Sequence, residues 1–229
     1  MYANMNMKKV GCPFLFLMVL CFPSAWAQQL LNTNVSAGMP LRSRNYVELK
    51  GSPYRLEDWS AGTVRQEDGQ VSKHMLLRYD EVADQLTFQN EKGVEMSFLV
   101  PVTEFELNSK APETKSLFRK GFTGERDVKP TAFFEVVHDG KHKLLKKNFK
   151  FIQESRAYNS AVVTRTASDR VKYYVGTGTE LSEFKRDAKS MTMLFGENWP
   201  PVNVFIRENK LNPKKDEDLK QIFMFADQR

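Results

Sequence analysis

Apolar residues recur at every second position over much of the stretch 62–100. The clearest run of such positions is Val71, Met75, Leu77 and Tyr79. Helical spacing does not account for them, whereas a period of two is typical of a half-buried strand. The stretch therefore predicts a series of short β-strands around which the rest of the chain is organised.

Glycine-containing pairs separate the predicted strands, as expected where a tight hairpin needs a positive φ. These pairs are Asp68-Gly69, Lys92-Gly93 and Asp139-Gly140. Because isolated hairpins are only marginally stable, the strands must share a core. The pattern predicts an antiparallel meander with one packed face and one wet face, either an open sheet or a partial barrel.

Further strands are predicted at 116–124, 131–137, 162–166 and 170–175, the last two separated by a hairpin-like Ala167-Ser168-Asp169. The segment 108–116 contains Pro112 and is weakly patterned. It is either a long hairpin loop or a boundary between two β lobes.

The period changes to three and four after residue 181. Ala188, Met191, Leu194 and Phe195 predict a helix that ends at Gly196, and a second helix is predicted from Pro201. A third is predicted with Asn212 as N-cap and Pro213 as its first residue. Its predicted apolar face is Leu219, Ile222, Phe223 and Ala226.

The predicted fold is therefore α+β, a predominantly antiparallel β meander over residues 46–185 followed by about three short helices within residues 186–229.

The N-terminus reads as an export signal. Lys8 and Lys9 precede an apolar run, and Ala25-Trp26-Ala27 offers small residues for cleavage, so residues 1–27 are predicted to be a signal peptide. Residues 28–45 are polar and unpatterned, and are predicted to be a flexible leader.

Both cysteines, Cys12 and Cys21, lie in the predicted signal peptide, so the exported chain is predicted to lack cysteine. Such a chain has neither disulfides nor thiolate chemistry, and its stability must come from burial. The apolar run is too short for a permanent membrane span. We expect a protein that crosses the inner membrane, is periplasmic or extracellular, and is not an integral membrane protein.

Several motifs resemble those of a family of exported Bacteroidota proteins of unassigned function. They are Gly51-Ser52-Pro53-Tyr54, Gly62-Thr63-Val64, Asp68-Gly69, Leu77-Arg78-Tyr79-Asp80, Val137-His138-Asp139-Gly140, Leu144-Leu145-Lys146-Lys147, Lys172-Tyr173-Tyr174, Phe205-Ile206-Arg207-Glu208-Asn209-Lys210-Leu211-Asn212 and Glu217-Asp218-Leu219. The resemblance covers most of the exported chain. It implies export and a β-sheet followed by helices, and it carries no activity or site residues.

Catalytic and metal chemistry has little support in the sequence. His138 and His142 flank a predicted two-residue turn, which would point them to opposite faces, and His74 lies alone on a polar strand face. Gly176-Thr177-Gly178 lacks a phosphate-loop context and reads as a loop between the last strand and the helices. Glycoside hydrolysis would need paired carboxylates, and the candidate pairs are Glu57 with Asp58, Glu67 with Asp68, and Glu104 with Glu106; they read as solvated charges. No catalytic residue, metal ligand or cofactor site is therefore predicted.

The formal net charge is +6, and one basic stretch stands out, KHKLLKKNFK at 141–150. Its lysines are a candidate patch for an anionic ligand: Lys141, Lys143, Lys146, Lys147 and Lys150. The alternative is that they solvate a strand and discourage edge pairing. Export makes nucleic acid an unlikely partner, which leaves an anionic envelope component or a protein.

We expect a non-catalytic binding or envelope-associated protein of unidentified ligand. One alternative is a glycan or ester hydrolase whose site is assembled from scattered residues, and another is a structural subunit of an envelope assembly. A deep pocket with converging His or carboxylate groups would favour the hydrolase. An exposed edge strand or apolar patch would favour the structural subunit.

Overall fold

The computed structural model describes residues 37–41, 46–110, 113–125, 127–156, 158–159 and 161–229. The predicted signal peptide lies outside these residues, as does most of the predicted leader. Within the leader, however, Gly38–Pro40 forms strand β1 and pairs with Met96–Phe98. The backbone N–H of Leu99 donates to Ala37, and that of Leu41 donates to Glu95. These bonds hold a segment whose Gly and Pro had predicted irregular chain.

Most of the described chain is strand. The strands are β1 (Gly38–Pro40), β2 (Leu49–Lys50), β3 (Ser60–Gln66), β4 (Val71–Asp80), β5 (Gln85–Gln89), β6 (Glu95–Phe98), β7 (Val102–Lys110), β8 (Glu113–Arg119), β9 (Thr123–Gly124), β10 (Phe134–Asp139), β11 (Lys143–Arg156), β12 (Val163–Gly176) and β13 (Glu180–Phe184). They form one sheet in the order β1-β6-β5-β4-β3-β7-β8-β10-β11-β12-β13-β9, with β2 beside β12. The predicted α+β, sheet-dominated class is confirmed, and the sheet is open.

The sheet is mixed, so the prediction of a predominantly antiparallel meander is confirmed only in part. Two short strands pair in parallel, β2 with the middle of β12 and β9 with β13. Both pairs involve a strand of only two residues. Periodicity does not reveal pairs this short.

The hairpins at Asp68-Gly69 and Lys92-Gly93 form as predicted, with φ of +86° at Gly69 and +75° at Gly93. The segment 108–116 is also a hairpin, with β7 and β8 paired from Glu104–Arg119 to Lys110–Glu113. The predicted break at 167–169 is wrong, because β12 runs through it while paired with β11. Likewise, the loop at Gly178 leads to another strand, β13, and not to the helices.

A β-bulge shifts the alternation in β4. The register slips between Gly62 and Val64 of β3, and His74 has a φ of +57°. As a result Ser72 is fully buried, while Val71, which the strict period of two places in the core, is only half-buried. One extra residue in a strand inverts the facing of all residues on its far side.

The helices follow the sheet: α1 (Ala188–Phe195), a 3-10 turn (Gly196–Asn198), α2 (Trp199–Glu208) and α3 (Asp216–Ala226). Because the 3-10 turn joins α1 to α2 without a gap, the prediction of three separate helices is not exact. Gly196 does end α1, with a φ of +52°. The predicted start of α3 is wrong: its N-cap is Lys215, although all four predicted apolar-face residues are buried.

Three apolar clusters stabilise the described chain. One, around Tyr79, Phe105, Phe118 and Phe133, lies in the β3–β8 half of the sheet. On the other half, even-numbered residues of β11 such as Leu144 pack with the helices. The odd-numbered Leu145 packs on the opposite face with Phe134 and Tyr174. Both faces of β10–β13 are therefore covered, at least near the β10–β11 turn.

Candidate binding site

The five lysines of the predicted patch lie in or beside β11, but they face different sides. Successive strand residues point to opposite faces. Lys146 and Lys150 share the face of Leu144, on which the helices pack, whereas Lys143 and Lys147 share that of Leu145. Lys141 is exposed in the preceding turn.

Each of the four strand lysines binds a carboxylate, and Lys147 is only 6% exposed. The nearest N–O distances are 2.5 Å for Lys143 to Asp139, 2.7 Å for Lys146 to Asp216, 2.8 Å for Lys147 to Asp84 and 3.4 Å for Lys150 to Glu81. The structure therefore does not bring the five ammonium groups together into one patch.

The two histidines of the β10–β11 turn are brought together, in contrast to the prediction. The turn is Gly140–His142 and not a two-residue turn, since Asp139 pairs with Lys143. His138 Nε2 lies 2.8 Å from Asp227 Oδ2, and His142 Nδ1 lies 2.7 Å from Asp227 Oδ1. The backbone N–H of His142 also donates to Asp227 Oδ1, at 3.1 Å.

Gly140 makes this His-Asp-His cluster possible. A Cβ at this position would lie 1.9 Å from Asp227 Oδ2, and the residue is not among those with a positive φ. Its role is thus close approach to the carboxylate and not turn conformation. Burial alone would raise the pKa of Asp227, but the hydrogen bonds from His138 and His142 outweigh it and hold that pKa below its usual range.

The His-Asp-His cluster is built to fasten α3 to the β10–β11 turn. The His138 ring packs against Phe223 and the His142 ring against Phe195, so both imidazoles contact helical side chains. One nitrogen of each imidazole is already hydrogen-bonded to the Asp227 carboxylate. Among the residues that the structure describes, no group of three His, Cys, Asp or Glu side chains is arranged to hold a metal ion.

A polar cavity of about 390 Å³ lies on the opposite side of the sheet from the helices. We call it the Tyr174 pocket. Its apolar wall is Val128 and Leu181, and its polar wall is Glu125, Asp127, Arg170, Lys172, Tyr174 and Glu183. Strands β12 and β13 supply most of it, with Tyr174 directly opposite Glu183 in the ladder. The loop after β9 supplies the rest.

Lys172 organises the charges of the Tyr174 pocket. Its Nζ donates to Asp127 Oδ2 at 2.7 Å and to Glu183 Oε2 at 2.8 Å. These two hydrogen bonds raise the pKa of Lys172, so the ammonium is charged at neutral pH. The remaining wall charges are Glu125 and Arg170, and the Arg170 guanidinium lies 5.8 Å from the centre of the Phe149 ring.

Tyr174 is the unusual residue of the pocket. Its side chain is 2% exposed and its ring packs edge-on against Phe134, at a centroid distance of 5.3 Å. Its hydroxyl is buried and has no hydrogen-bond partner among the described residues. Burial raises the pKa of Tyr174 to about 12, with Lys172 opposing the rise, so the hydroxyl keeps its proton and can both donate and accept.

The Tyr174 pocket is not predicted by the sequence. Asp127 is far from Lys172 in the chain, and the two meet only because β9 pairs with β13. The single sequence signal was the doublet Tyr173-Tyr174 within an alternating strand. In such a strand one of the two rings faces the helices and the other faces away, and Tyr173 indeed donates to Asp216 of α3.

The carboxylate pairs singled out in the sequence do not share a pocket with these residues. Glu104 binds Arg119 at 2.7 Å, and Glu106 lies 3.6 Å from Lys115, as expected for charges on a strand surface. Glu57 and Asp58 line a smaller cavity beside Trp59, and Asp68 accepts from the Gln70 backbone in its turn. His74 is exposed at the bulge.

Comparison of the chain with protein-family models, with curated proteins and with solved structures finds no match. The family resemblance of the sequence motifs accordingly stays a prediction. In the part of the chain that the structure describes, no helix is long and apolar enough to cross a membrane.

Proposed function

We propose that this chain is an exported, non-catalytic binding protein that holds a small polar ligand in the Tyr174 pocket. The observation that carries the proposal is the buried, unpartnered hydroxyl of Tyr174. Export is supported by the charge and hydropathy of residues 8–27 and by the confinement of both cysteines to that region.

An unpaired hydroxyl is costly inside a protein. Leaving a buried donor or acceptor without a partner costs about 1–3 kcal/mol, and native proteins pair nearly all such groups. Phenylalanine would fill the same apolar niche beside Phe134 without that cost. A tyrosine at this position is therefore best explained by a group that enters the pocket and pairs with it.

The pocket favours holding a ligand over transforming it. Two of its three carboxylates, Asp127 and Glu183, are tied to the same ammonium group. Each of these two carboxylates therefore already has a protein cation as its partner. The cavity is also within the usual size range of small-molecule sites, about 300–1,000 Å³.

The test compares Tyr174→Phe with a matched control, Tyr158→Phe, because Tyr158 is 95% exposed. A panel of neutral sugars, amino acids, polyamines and dicarboxylic acids is screened by the change in melting temperature. We expect at least one class to stabilise the wild type and Tyr158→Phe but not Tyr174→Phe. Without ligand, Tyr174→Phe should melt no lower than the wild type, because the hydroxyl it loses is unpaired.

Two results would overturn the proposal. The first is that no compound of the panel stabilises the wild-type protein, in which case only water pairs with the Tyr174 hydroxyl. The second is that every stabilising compound acts equally on Tyr174→Phe, which would place binding elsewhere.

A hydrolase is the alternative that one observation favours, since Glu125, Asp127 and Glu183 surround a single cavity. Glycoside hydrolysis uses two carboxyl groups on either side of the scissile bond. Aryl glycosides and aryl esters give a direct test. Turnover by the wild type that Glu183→Gln abolishes would replace the binding proposal with the hydrolase.

A further inference from the structure

We infer that the Tyr174 pocket recognises a vicinal diol of a neutral polyhydroxylated compound, a saccharide or a cyclic polyol, and not an ion. The inference rests on the proposed function, and it concerns the chemical class of the ligand. It follows from the balance of charges in the pocket and from the hydrogen-bonding capacity that its residues have left.

The charges of the pocket disfavour an ionic ligand of either sign. The cations Lys172 and Arg170 are outnumbered by three wall carboxylates, Glu125, Asp127 and Glu183. An anion would therefore meet net negative charge from these carboxylates. A cation would have to compete with Lys172, which already lies within 3 Å of two of them, at 2.7 and 2.8 Å. Like charges brought together in a partly desolvated site repel strongly. A neutral ligand avoids both penalties.

The pocket has both a donor and an acceptor that a ligand could pair with. Lys172 has three N–H groups and gives two of them to carboxylates, which leaves one donor. Glu183 uses Oε2 for Lys172, so Oε1 can accept from a ligand. Tyr174 Oη can do either. A hydroxyl group both donates and accepts, so it suits a donor beside an acceptor in a way that a carboxylate or an ammonium does not.

The strand geometry sets these groups at the spacing of neighbouring hydroxyls. Tyr174 and Glu183 are direct cross-strand partners, and Lys172 precedes Tyr174 by two residues on the same face. Side chains so related have Cβ atoms about 5–8 Å apart, and all three residues line one cavity. One ligand hydroxyl can accept from Lys172 and donate to Glu183 while the adjacent hydroxyl pairs with Tyr174.

The remaining wall fits the carbon skeleton of such a ligand. Val128 and Leu181 provide an apolar surface for ring C–H groups. Tyr174 is the one aromatic residue among the described residues of the wall, and its ring packs against Phe134, so the wall offers little of the aromatic stacking that strengthens many sugar sites. We therefore expect weak binding, with a Kd of about 1 mM.

The experiment uses three probes with the same ring and different charges: D-glucose, D-glucosamine and D-glucuronate, with myo-inositol as a second neutral compound. Binding is measured at neutral pH by ligand-observed NMR titration. The proteins are the wild type, Tyr174→Phe, Glu183→Gln and the exposed control Tyr158→Phe.

We expect a neutral compound, glucose or myo-inositol, to bind more tightly than glucosamine and glucuronate. Tyr174→Phe and Glu183→Gln should each weaken that binding by about tenfold, as expected for a lost hydrogen bond. Tyr158→Phe should leave it unchanged. Far-ultraviolet circular dichroism of each variant verifies that the fold is kept.

The other outcomes separate this inference from the proposed function. If glucosamine, glucuronate or a charged member of the earlier panel binds best and loses affinity in Tyr174→Phe, the pocket is a binding site but the diol inference is wrong. If glucose and myo-inositol bind Tyr174→Phe as well as the wild type, the inference is wrong because they bind elsewhere. If no probe and no panel compound binds, both the inference and the proposed function fail.

Discussion

A single strand residue, Lys147, shows how a charge that looks solvated in the sequence becomes part of the interior. It lies on the face of β11 away from the helices and is covered by Tyr79 and Phe134. Its Nζ binds Asp84 at 2.8 Å and lies 3.2 Å from Tyr79 Oη, which itself donates to Asp84. Burial lowers the pKa of Lys147 against the opposing pull of Asp84.

Replacing Lys147 by Met should destabilise the protein by about 1–3 kcal/mol, because the change leaves Asp84 without its cation. Lys141→Met is the control, since Lys141 is exposed in the neighbouring turn and should be nearly neutral. Urea unfolding measures both. The double variant Lys147→Met/Asp84→Asn should recover part of the loss. Equal stability of Lys147→Met and Lys141→Met would show that the Asp84 pair contributes nothing.

Gly140→Ala should be strongly destabilising, by about 2–4 kcal/mol, because the new Cβ cannot coexist with the Asp227 carboxylate. If that contact is the cause, Asp227→Ala should relieve it. The cost of Gly140→Ala, measured by urea unfolding, should then be clearly smaller in the Asp227→Ala background. Additive costs would instead place the effect of Gly140 in its backbone or in the close approach to His138, whose Nε2 would lie 2.5 Å from the new Cβ.

At the scale of elements, α3 is held by carboxylates at both ends. Asp216, its first residue, binds Lys146 at 2.7 Å and accepts from Tyr173. Asp227, its C-cap, joins His138 and His142. The helix starts at Asp216, not at Pro213, because Asn212 Oδ1 accepts from the Lys214 N–H and closes a turn there. The Asn212 signal therefore marks a turn before the helix and not the N-cap that was predicted.

Acid should loosen this attachment. Burial alone would raise the pKa of Asp216 and of Asp227, but their hydrogen bonds outweigh it and lower both. A carboxylate with a depressed folded pKa stabilises the fold above its unfolded pKa of about 3.9, and this contribution is lost as the pH falls through the folded pKa. The free energy of unfolding should therefore fall as the pH is lowered from about 5 to below 4.

The variant Asp216→Asn/Asp227→Asn should be less stable than the wild type at neutral pH and should lose less stability on acidification. Asp169→Asn, at an exposed position of β12, is the control and should keep the wild-type pH dependence. Urea midpoints over a series of pH values measure the difference. A double variant with the wild-type slope would contradict the assignment.

At the scale of the whole molecule, the period of two and the glycine turns predicted the class of the fold and most hairpins, because these depend on neighbours in sequence. The pairing of β3 with β7 and of β9 with β13 depends on distant residues, and nothing local encodes it. The Tyr174 pocket depends on the second of these pairings. The His-Asp-His cluster likewise needs the last helix to return to the β10–β11 turn. The two histidines were singled out in the sequence, but neither Asp227 nor the arrangement of the three residues was predicted.

The long β11–β12 hairpin should have two regions of different stability. Near the β10–β11 turn it is covered on both faces, whereas its distal part, residues 150–156 and 163–169, contains no buried residue. That distal part is braced by β2 and by Lys150 Nζ, which donates to the Ser52 carbonyl at 3.1 Å. Amides there should exchange by local opening, and those of 143–149 and 171–176 only by global unfolding. Hydrogen-exchange mass spectrometry measures both. Lys150→Met should speed exchange in the distal part more than near the turn, and uniform protection along the hairpin would show that it unfolds as one unit.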